Sequence, residues 1–181
     1  MKVFKDKSHI EQLIKRADNF DETQRLTLKF QKLKKERPDF YLTLDELEEI
    51  LYWKLRTQVG RQKAKRTSNT NENIIIITKA AFAITHTDKD FETTLRLKLL
   101  STLVGVEIPV ASAILTLCYP EQYSVIDFRN WRQVFPTHKR KGTYSTKDYT
   151  NYLTQIKEWA KLYQVTPQEI DIAIWQKDIE K

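Results

Sequence analysis

Asp127 stands at the start of a predicted short helix, where a carboxylate can do chemical work. The free backbone N–H groups and the dipole at a helix N-terminus favour the ionised form of such a side chain. An ionised carboxylate can stabilise positive charge that develops on a substrate, or orient a water molecule for attack. Most aspartates before a helix only cap it, so a purely structural role for Asp127 is the alternative.

A glycine-centred turn lies just over twenty residues upstream of Asp127. Gly105 separates two helix-forming runs, and we place the turn between Val104 and Ile108. Such a turn can point backbone N–H groups outward, and Pro109 suits the first turn of the helix that follows. Both features are typical of a site that binds an anion such as a phosphate group.

Three features of the segment 99–131 occur together in one known family. They are the run Leu103-Val104-Gly105-Val106, the small and apolar positions Ala111, Ile114 and Leu115, and an aspartate after Val125-Ile126. In these features the segment resembles the helix-hairpin-helix superfamily of DNA glycosylases, which includes endonuclease III. The close match covers about thirty residues, and the helical character extends it weakly to the whole chain.

The resemblance implies a hairpin over about residues 88–118 that grips DNA through Gly105, Val106 and Glu107. It also implies that Asp127 is the catalytic residue and that the target base is flipped out of the duplex. Cleaving an N-glycosidic bond develops positive charge on the sugar, which a carboxylate can stabilise while water attacks. By the same resemblance, a monovalent cation can sit at the hairpin carbonyls.

The chain departs from the family pattern at three positions. Glu107 stands where the hairpin keeps its second glycine, so we expect an altered or weaker phosphate grip. Pro109 stands near the place of the nucleophilic lysine of bifunctional members, and a proline there cannot form their Schiff base. We therefore expect base release without lyase activity. Cys118 is the only cysteine, which excludes an iron–sulfur cluster and favours a core position for that side chain.

Basic and aromatic side chains around these motifs are candidates for contacting DNA. A first basic cluster precedes a polar run, and a second follows Asp127; solvated surface is the alternative for both. The members of the first are Lys54, Arg56, Arg61, Lys63, Lys65 and Arg66, and those of the second are Arg129, Arg132, His138, Lys139, Arg140 and Lys141. A flipped base needs an aromatic or apolar wall, although most aromatics at helical spacing belong to the core. The candidates for that wall are Trp53, Tyr123 and Trp131.

The elements that position these residues are predicted to be helices throughout. The chain has 181 residues, only three glycines, and apolar residues that recur at helical spacing. We predict an all-α bundle of about eight helices in one domain, 1–181, with two lobes around a cleft as the alternative. Expected helix starts lie near Ser8, Asp21, Thr43, Glu72, Asp88, Pro109, Asp127, Ser145 and Thr166.

The composition of the chain indicates which kinds of binding partner to expect. Lys and Arg number 31 against 24 acidic residues, and the net charge of +7 favours a polyanion such as DNA. The absence of a long apolar run and the lone cysteine predict a cytoplasmic protein that does not enter a membrane, and no obligate protein partner is evident.

The leading hypothesis is a monofunctional DNA glycosylase without a metal in its chemistry. Its substrate is either a damaged base, in repair, or a modified base, in defence against phage. A non-catalytic DNA-binding module is the alternative, and a helical protein-interaction domain with an incidental basic surface is a third reading.

Overall fold

Helices form all the regular structure that the computed structural model describes. It describes residues 3–18, 20–62, 66–137 and 141–180, apart from the side chains of Thr57, Arg61 and Gln62. These residues form nine α-helices and no strand, which confirms the predicted all-α bundle. The α-helices are α1 (Lys7–Lys15), α2 (Phe20–Glu36), α3 (Leu44–Leu55), α4 (Asn71–Ala83), α5 (Lys89–Leu100), α6 (Ile108–Cys118), α7 (Phe128–Val134), α8 (Thr146–Tyr163) and α9 (Pro167–Ile179); a 3-10 helix (Arg56–Gln62) follows α3.

Side-chain caps explain why most helices begin where the sequence predicts. A capping box satisfies backbone N–H groups that have no partner within the first turn of a helix. Three helices begin in this way, through Thr43 with Glu46, Ser145 with Asp148, and Thr166 with Glu169. Asp88 caps α5 by accepting hydrogen bonds from two backbone N–H groups. The predicted starts of these four helices are therefore confirmed.

The first helix differs from the prediction at both ends. Asp6, rather than Ser8, caps α1, because its carboxylate accepts a hydrogen bond from the backbone N–H of His9. The sequence predicts that this helix extends to about Phe20, but it ends at Lys15, and Phe20 already belongs to α2. The predicted boundary between the two helices was therefore wrong by about one turn.

The turn around Gly105 is longer than predicted. Helix α5 ends at Leu100, so residues 101–107 join it to α6. The backbone N–H groups of Thr102 and Leu103 bond three residues back, to Leu99 and Leu100, which tightens the chain as the helix ends. The expected five-residue turn from Val104 to Ile108 is thus corrected to seven residues.

Helix α6 lies in the middle of the hydrophobic core. Every residue from Val110 to Cys118 is buried, and the helix packs against α2, α3 and α5. Cys118 is fully buried, and burial raises the pKa of its thiol, as suits a core residue. Helix α9 packs against α1, α7 and α8. In the described part of the chain, no helix combines the length and apolar character that crossing a bilayer requires.

Candidate active site

A short extended segment before Asp127 is anchored on two helices. The backbone N–H of Ile126 donates to Ser112 Oγ on α6 at 3.1 Å. The carbonyl of Val125 accepts a hydrogen bond from the Tyr152 hydroxyl on α8 at 2.9 Å. Both bonds are buried, so they fix the backbone that carries Asp127.

Asp127 caps α7 with one of its two carboxylate oxygens. Its Oδ1 accepts hydrogen bonds from the backbone N–H groups of Arg129 and Asn130, each at 2.9 Å. Its Oδ2 lies 3.4 Å from Nζ of Lys54, near the C-terminus of α3. The cap thus accounts for one oxygen, and the second oxygen belongs to an ion pair with a distant helix.

Asp127 and Lys54 share a cavity of about 250 Å³, which we call the Asp127 cavity. This volume lies near the lower end of typical ligand sites, so it suits one ring system rather than an extended ligand. Trp53 and Trp175 form an aromatic part of its wall. Arg56 and Gln58, in the 3-10 helix that follows α3, also line it. The remaining lining residues are Thr23, Leu55, Val125, Asp171 and Ile172.

A second carboxyl group, that of Asp171 on α9, lines the same cavity. Its Oδ2 accepts a hydrogen bond from the backbone N–H of Val125 at 3.2 Å, and its Oδ1 accepts one from the Asn130 side chain. Burial, followed by the nearby charge of Asp127, raises the pKa of Asp171 to about 8. The cavity therefore holds, beside Asp127, a second carboxyl group that keeps its proton well above the usual range of an aspartate.

The Gly105 turn is held in place by a buried asparagine. The Asn69 side chain donates to the carbonyl of Val104 at 2.9 Å and accepts from the backbone N–H of Val104 at 3.0 Å. Gly105 itself has a φ of 82°, a left-handed conformation that favours glycine. Val106, named as a DNA contact by resemblance, is buried, and Glu107 is exposed.

A cavity of about 280 Å³, the Gly105 cavity, lies beside the turn. It is lined by Gly105, Glu107, Pro109 and Val110, together with Leu55, Gln58 and Arg66. Leu55 and Gln58 also line the Asp127 cavity. The turn and Asp127 therefore adjoin a common wall, although just over twenty residues separate them in sequence.

The start of α6 is a weak site for an anion. Pro109 has no backbone N–H group, and Glu107 places a carboxylate at the N-cap position without making a side-chain capping bond. The negative charge of Glu107 opposes a phosphate at the end of the helix where the dipole would otherwise favour one. An altered or weaker grip on a phosphate at this turn stays a prediction.

The arginines after Asp127 are committed to an ion-pair network. Asp178 on α9, whose side chain is fully buried, lies 3.1 Å from Nη1 of Arg129 and accepts two hydrogen bonds from Arg132. Burial opposes ionisation of Asp178, but hydrogen bonds from Arg132, Gln133 and Arg129 outweigh it, so its pKa lies below the usual range. Both arginines therefore tie α7 to α9, and Arg132 remains about half exposed.

The other predicted basic contacts lie in varied settings. Arg66 is almost completely buried; it donates to the carbonyl of Val59 and lies 3.4 Å from Glu48, so its guanidinium is not a surface group. Lys141 pairs with Asp148 and lies over the Trp131 ring. Arg61 lies in the 3-10 helix, but its side chain is outside the description, as are Lys63, Lys139 and Arg140.

Of the three predicted base-contacting aromatics, only Trp53 lines the Asp127 cavity. Its indole N–H donates to Thr23 Oγ1 at 3.0 Å, which fixes the ring. Tyr123 is buried; its ring lies against that of Tyr119, and the cationic groups of Arg96 and Lys157 lie over it. Trp131 packs against Phe135, with the ring centroids 4.5 Å apart.

Sequence reasoning did not identify Asp171 and Trp175 as members of the site. The signal for Asp171 was an acidic residue inside an apolar run, between the buried Ile170 and Ile174. An acidic side chain in such a position is seldom buried without a partner or a function. Trp175 lies on the same helix, and nothing local in the sequence indicates that it lines the same cavity as Asp127.

Among the described residues, no group of three or more His, Cys, Asp or Glu side chains is arranged to hold a metal ion. Comparison with protein-family models, with curated proteins and with solved structures found no match.

Proposed function

We propose that this protein is a monofunctional DNA glycosylase that releases a damaged or modified base by hydrolysis. The observation that carries the proposal is the second oxygen of Asp127, which faces Lys54 in a cavity with aromatic walls. A carboxylate in this position is suited to stabilise a developing oxocarbenium ion or to orient the attacking water. The flipped base would stack on Trp53 or Trp175.

The neighbouring Gly105 cavity supports an interaction with DNA. Because Leu55 and Gln58 line both cavities, a strand that contacts the Gly105 turn passes close to the Asp127 cavity. Lys54 and Arg56 add positive charge along this wall, and cations there would neutralise backbone phosphates. The path from the turn to Asp127 is therefore suited to one strand with one nucleotide displaced.

The experiment uses Asp127→Asn, because asparagine caps a helix about as well as aspartate does. We expect the variant to fold with its cap intact, but with an unfolding free energy lowered by roughly 1–3 kcal/mol, because the largely buried Lys54 loses its partner. Base release should fall by at least about 100-fold, because the charge that stabilises the transition state is lost. Release is measured by mass spectrometry of bases freed from several genomic DNAs, including modified phage DNA.

Asp88→Asn is the matched control. Asp88 caps α5 through the same kind of double hydrogen bond, to the backbone N–H groups of Asp90 and Phe91, and it does not line the Asp127 cavity. The control should keep full base release. Retained release by Asp127→Asn would make Asp127 only a cap and would contradict the proposed chemistry.

A non-catalytic DNA-binding module is the second candidate. It is favoured by the fact that both oxygens of Asp127 already have protein partners. Such a module would bind DNA with a strong salt dependence, and neither the wild type nor Asp127→Asn would leave alkali-labile abasic sites. Absence of DNA binding at low salt would reject both candidates and favour a protein-interaction domain.

A further inference from the structure

Asp171 joins the two stretches of backbone on either side of Asp127. On one side it accepts a hydrogen bond from Val125, two residues before Asp127. On the other it accepts one from the side chain of Asn130, whose own backbone N–H donates to Asp127 Oδ1. The Asn130 side chain also donates to the carbonyl of Val125 at 3.3 Å. Asp171, Asn130 and Val125 thus form a closed set of hydrogen bonds around the segment that presents Asp127.

The charges around Asp171 come from two residues on other elements. Asp127, at the start of α7, is a like charge, and Lys54 on α3 is an opposite charge. Helix α8 contributes Tyr149 and Tyr152, whose burial raises their pKa values well above 10 and keeps them neutral. Helix α1 turns the apolar Ile10, Leu13 and Ile14 to the core.

Lys54 is already paired with Asp127, so it cannot fully offset two carboxylates in one cavity. Two buried carboxyl groups near each other do not both ionise readily, because each charge opposes the other in a medium of low polarity. The more deeply buried member of such a pair keeps its proton, because burial disfavours its charged form. Asp127 is the more exposed of the two, since about a fifth of its side chain is accessible and Asp171 is buried.

We infer that Asp171 is a positioning residue that acts in its neutral form, holding the Asp127 segment in place without adding a second negative charge to the cavity. This inference rests on the proposed function for its effect on catalysis, but the protonation of Asp171 itself does not depend on that function. A neutral carboxyl group can accept both hydrogen bonds and still direct its own proton into the cavity. Ionised Asp171 would compete with Asp127 for Lys54 and for the positive charge on the sugar.

The first test needs no substrate. Unfolding of the wild type and of Asp171→Asn is measured from pH 4 to pH 9. The folded protein holds the Asp171 proton up to about pH 8, whereas the unfolded chain releases it near the ordinary pKa of aspartate. The stability that this proton contributes is complete at the acid end and is lost as the pH rises towards 8. The melting temperature of Asp171→Asn should therefore rise relative to the wild type between pH 4 and 8 and then level off.

Asparagine cannot accept a second hydrogen bond through its amide nitrogen, so a constant offset in melting temperature is expected, and only the pH-dependent part is the readout. Glu158→Gln, an exposed change on α8, is the control and should run parallel to the wild type over this range. A difference between Asp171→Asn and the wild type that levels off by about pH 5 would show an ordinary carboxylate and would overturn the inference.

A second variant keeps the test valid if Asp171→Asn does not fold. Asp127→Asn removes the charge that opposes ionisation of Asp171, so the upper end of the pH-dependent stability change should move to lower pH. An unchanged upper end would mean that the two carboxyl groups do not interact and would also overturn the inference.

The catalytic test measures base release by the wild type and by Asp171→Asn as a function of pH. Wild-type release should decline about tenfold per pH unit above pH 8, and Asp171→Asn, at whatever level it releases base at neutral pH, should lack this decline. A decline of the same size in a folded Asp171→Asn would show that it does not come from Asp171 and would overturn the inference. If the wild type releases no base at any pH, the proposed function fails, while the unfolding arm still decides the state of Asp171.

Discussion

Lys54 Nζ and Asp127 Oδ2 lie 3.4 Å apart, and this pair joins the end of α3 to the start of α7. Both side chains are largely buried, so the attraction between them is less screened by solvent than that of an exposed pair. The pair fixes the direction of the carboxylate oxygen that the helix cap does not use.

Replacing Lys54 by glutamine should lower base release at least tenfold, because Asp127 loses the cation that orients it and a phosphate loses a nearby charge. The fold should be retained, since glutamine keeps much of the side-chain length. Release and DNA affinity are measured together. Lys79→Gln is the matched control, because Lys79 forms an exposed ion pair with Asp39 and does not line the Asp127 cavity. Equal release by both variants would remove Lys54 from the site.

Borohydride reduction of a mixture with abasic DNA should give no covalent adduct. By resemblance, Pro109 stands near the place of the lysine that forms a Schiff base in bifunctional helix-hairpin-helix glycosylases, and proline cannot form one. Lys54, the lysine in the Asp127 cavity, forms an ion pair with Asp127. The readout is a shifted band in denaturing electrophoresis. An adduct that forms with the wild type and disappears in Lys54→Gln would instead make Lys54 a nucleophile and the enzyme a lyase.

Glu107→Gln should strengthen DNA binding several-fold at low salt. The exposed carboxylate at the start of α6 opposes a phosphate, and its removal costs little stability because it makes no capping bond. Titrations of a labelled duplex at several salt concentrations measure the effect. Glu158→Gln, an exposed change on α8, should leave the affinity unchanged. No gain for Glu107→Gln would indicate that DNA does not approach the Gly105 turn.

Asp178→Asn should reduce the free energy of unfolding by about 3 kcal/mol, because it leaves Arg129 and Arg132 without their buried partner. The folded pKa of Asp178 lies below the unfolded value, so its contribution is present above about pH 4 and is lost as the pH falls through the folded pKa. Denaturant unfolding of the wild type and of Asp178→Asn at pH 7 and at pH 3 measures this contribution to the free energy of unfolding. The gap between variant and wild type should narrow at pH 3; a gap that persists undiminished would contradict the assignment.

Local chemistry made most of the fold predictable from the sequence. The helices that begin at Thr43, Asp88, Ser145 and Thr166 carry their own start signals, since a cap and its partner lie within a few residues. The end of α5 was less predictable, because Ser101 to Leu103 are compatible with a helix and the tighter turn wins only in context.

The candidate site was predictable only in part, because its members come from separate helices. Asp127 was identified through a local motif, but its pairing with Lys54 and its proximity to Asp171 depend on how α3, α7 and α9 pack. The burial of Arg66 has the same origin: a basic residue in a polar run reads as surface until Glu48 and the carbonyl of Val59 are placed around it.

Leu55 and Gln58 line both cavities, so a movement of either side chain changes the shape of both. Under the proposed function, any coupling through these residues would be reciprocal: a strand held at the turn would alter the affinity for a displaced nucleotide by the same factor as the nucleotide would alter the affinity for the strand. Discrimination between duplexes would accordingly be distributed over both cavities, and a substitution at Leu55 or Gln58 would change this coupling without touching either Gly105 or Asp127.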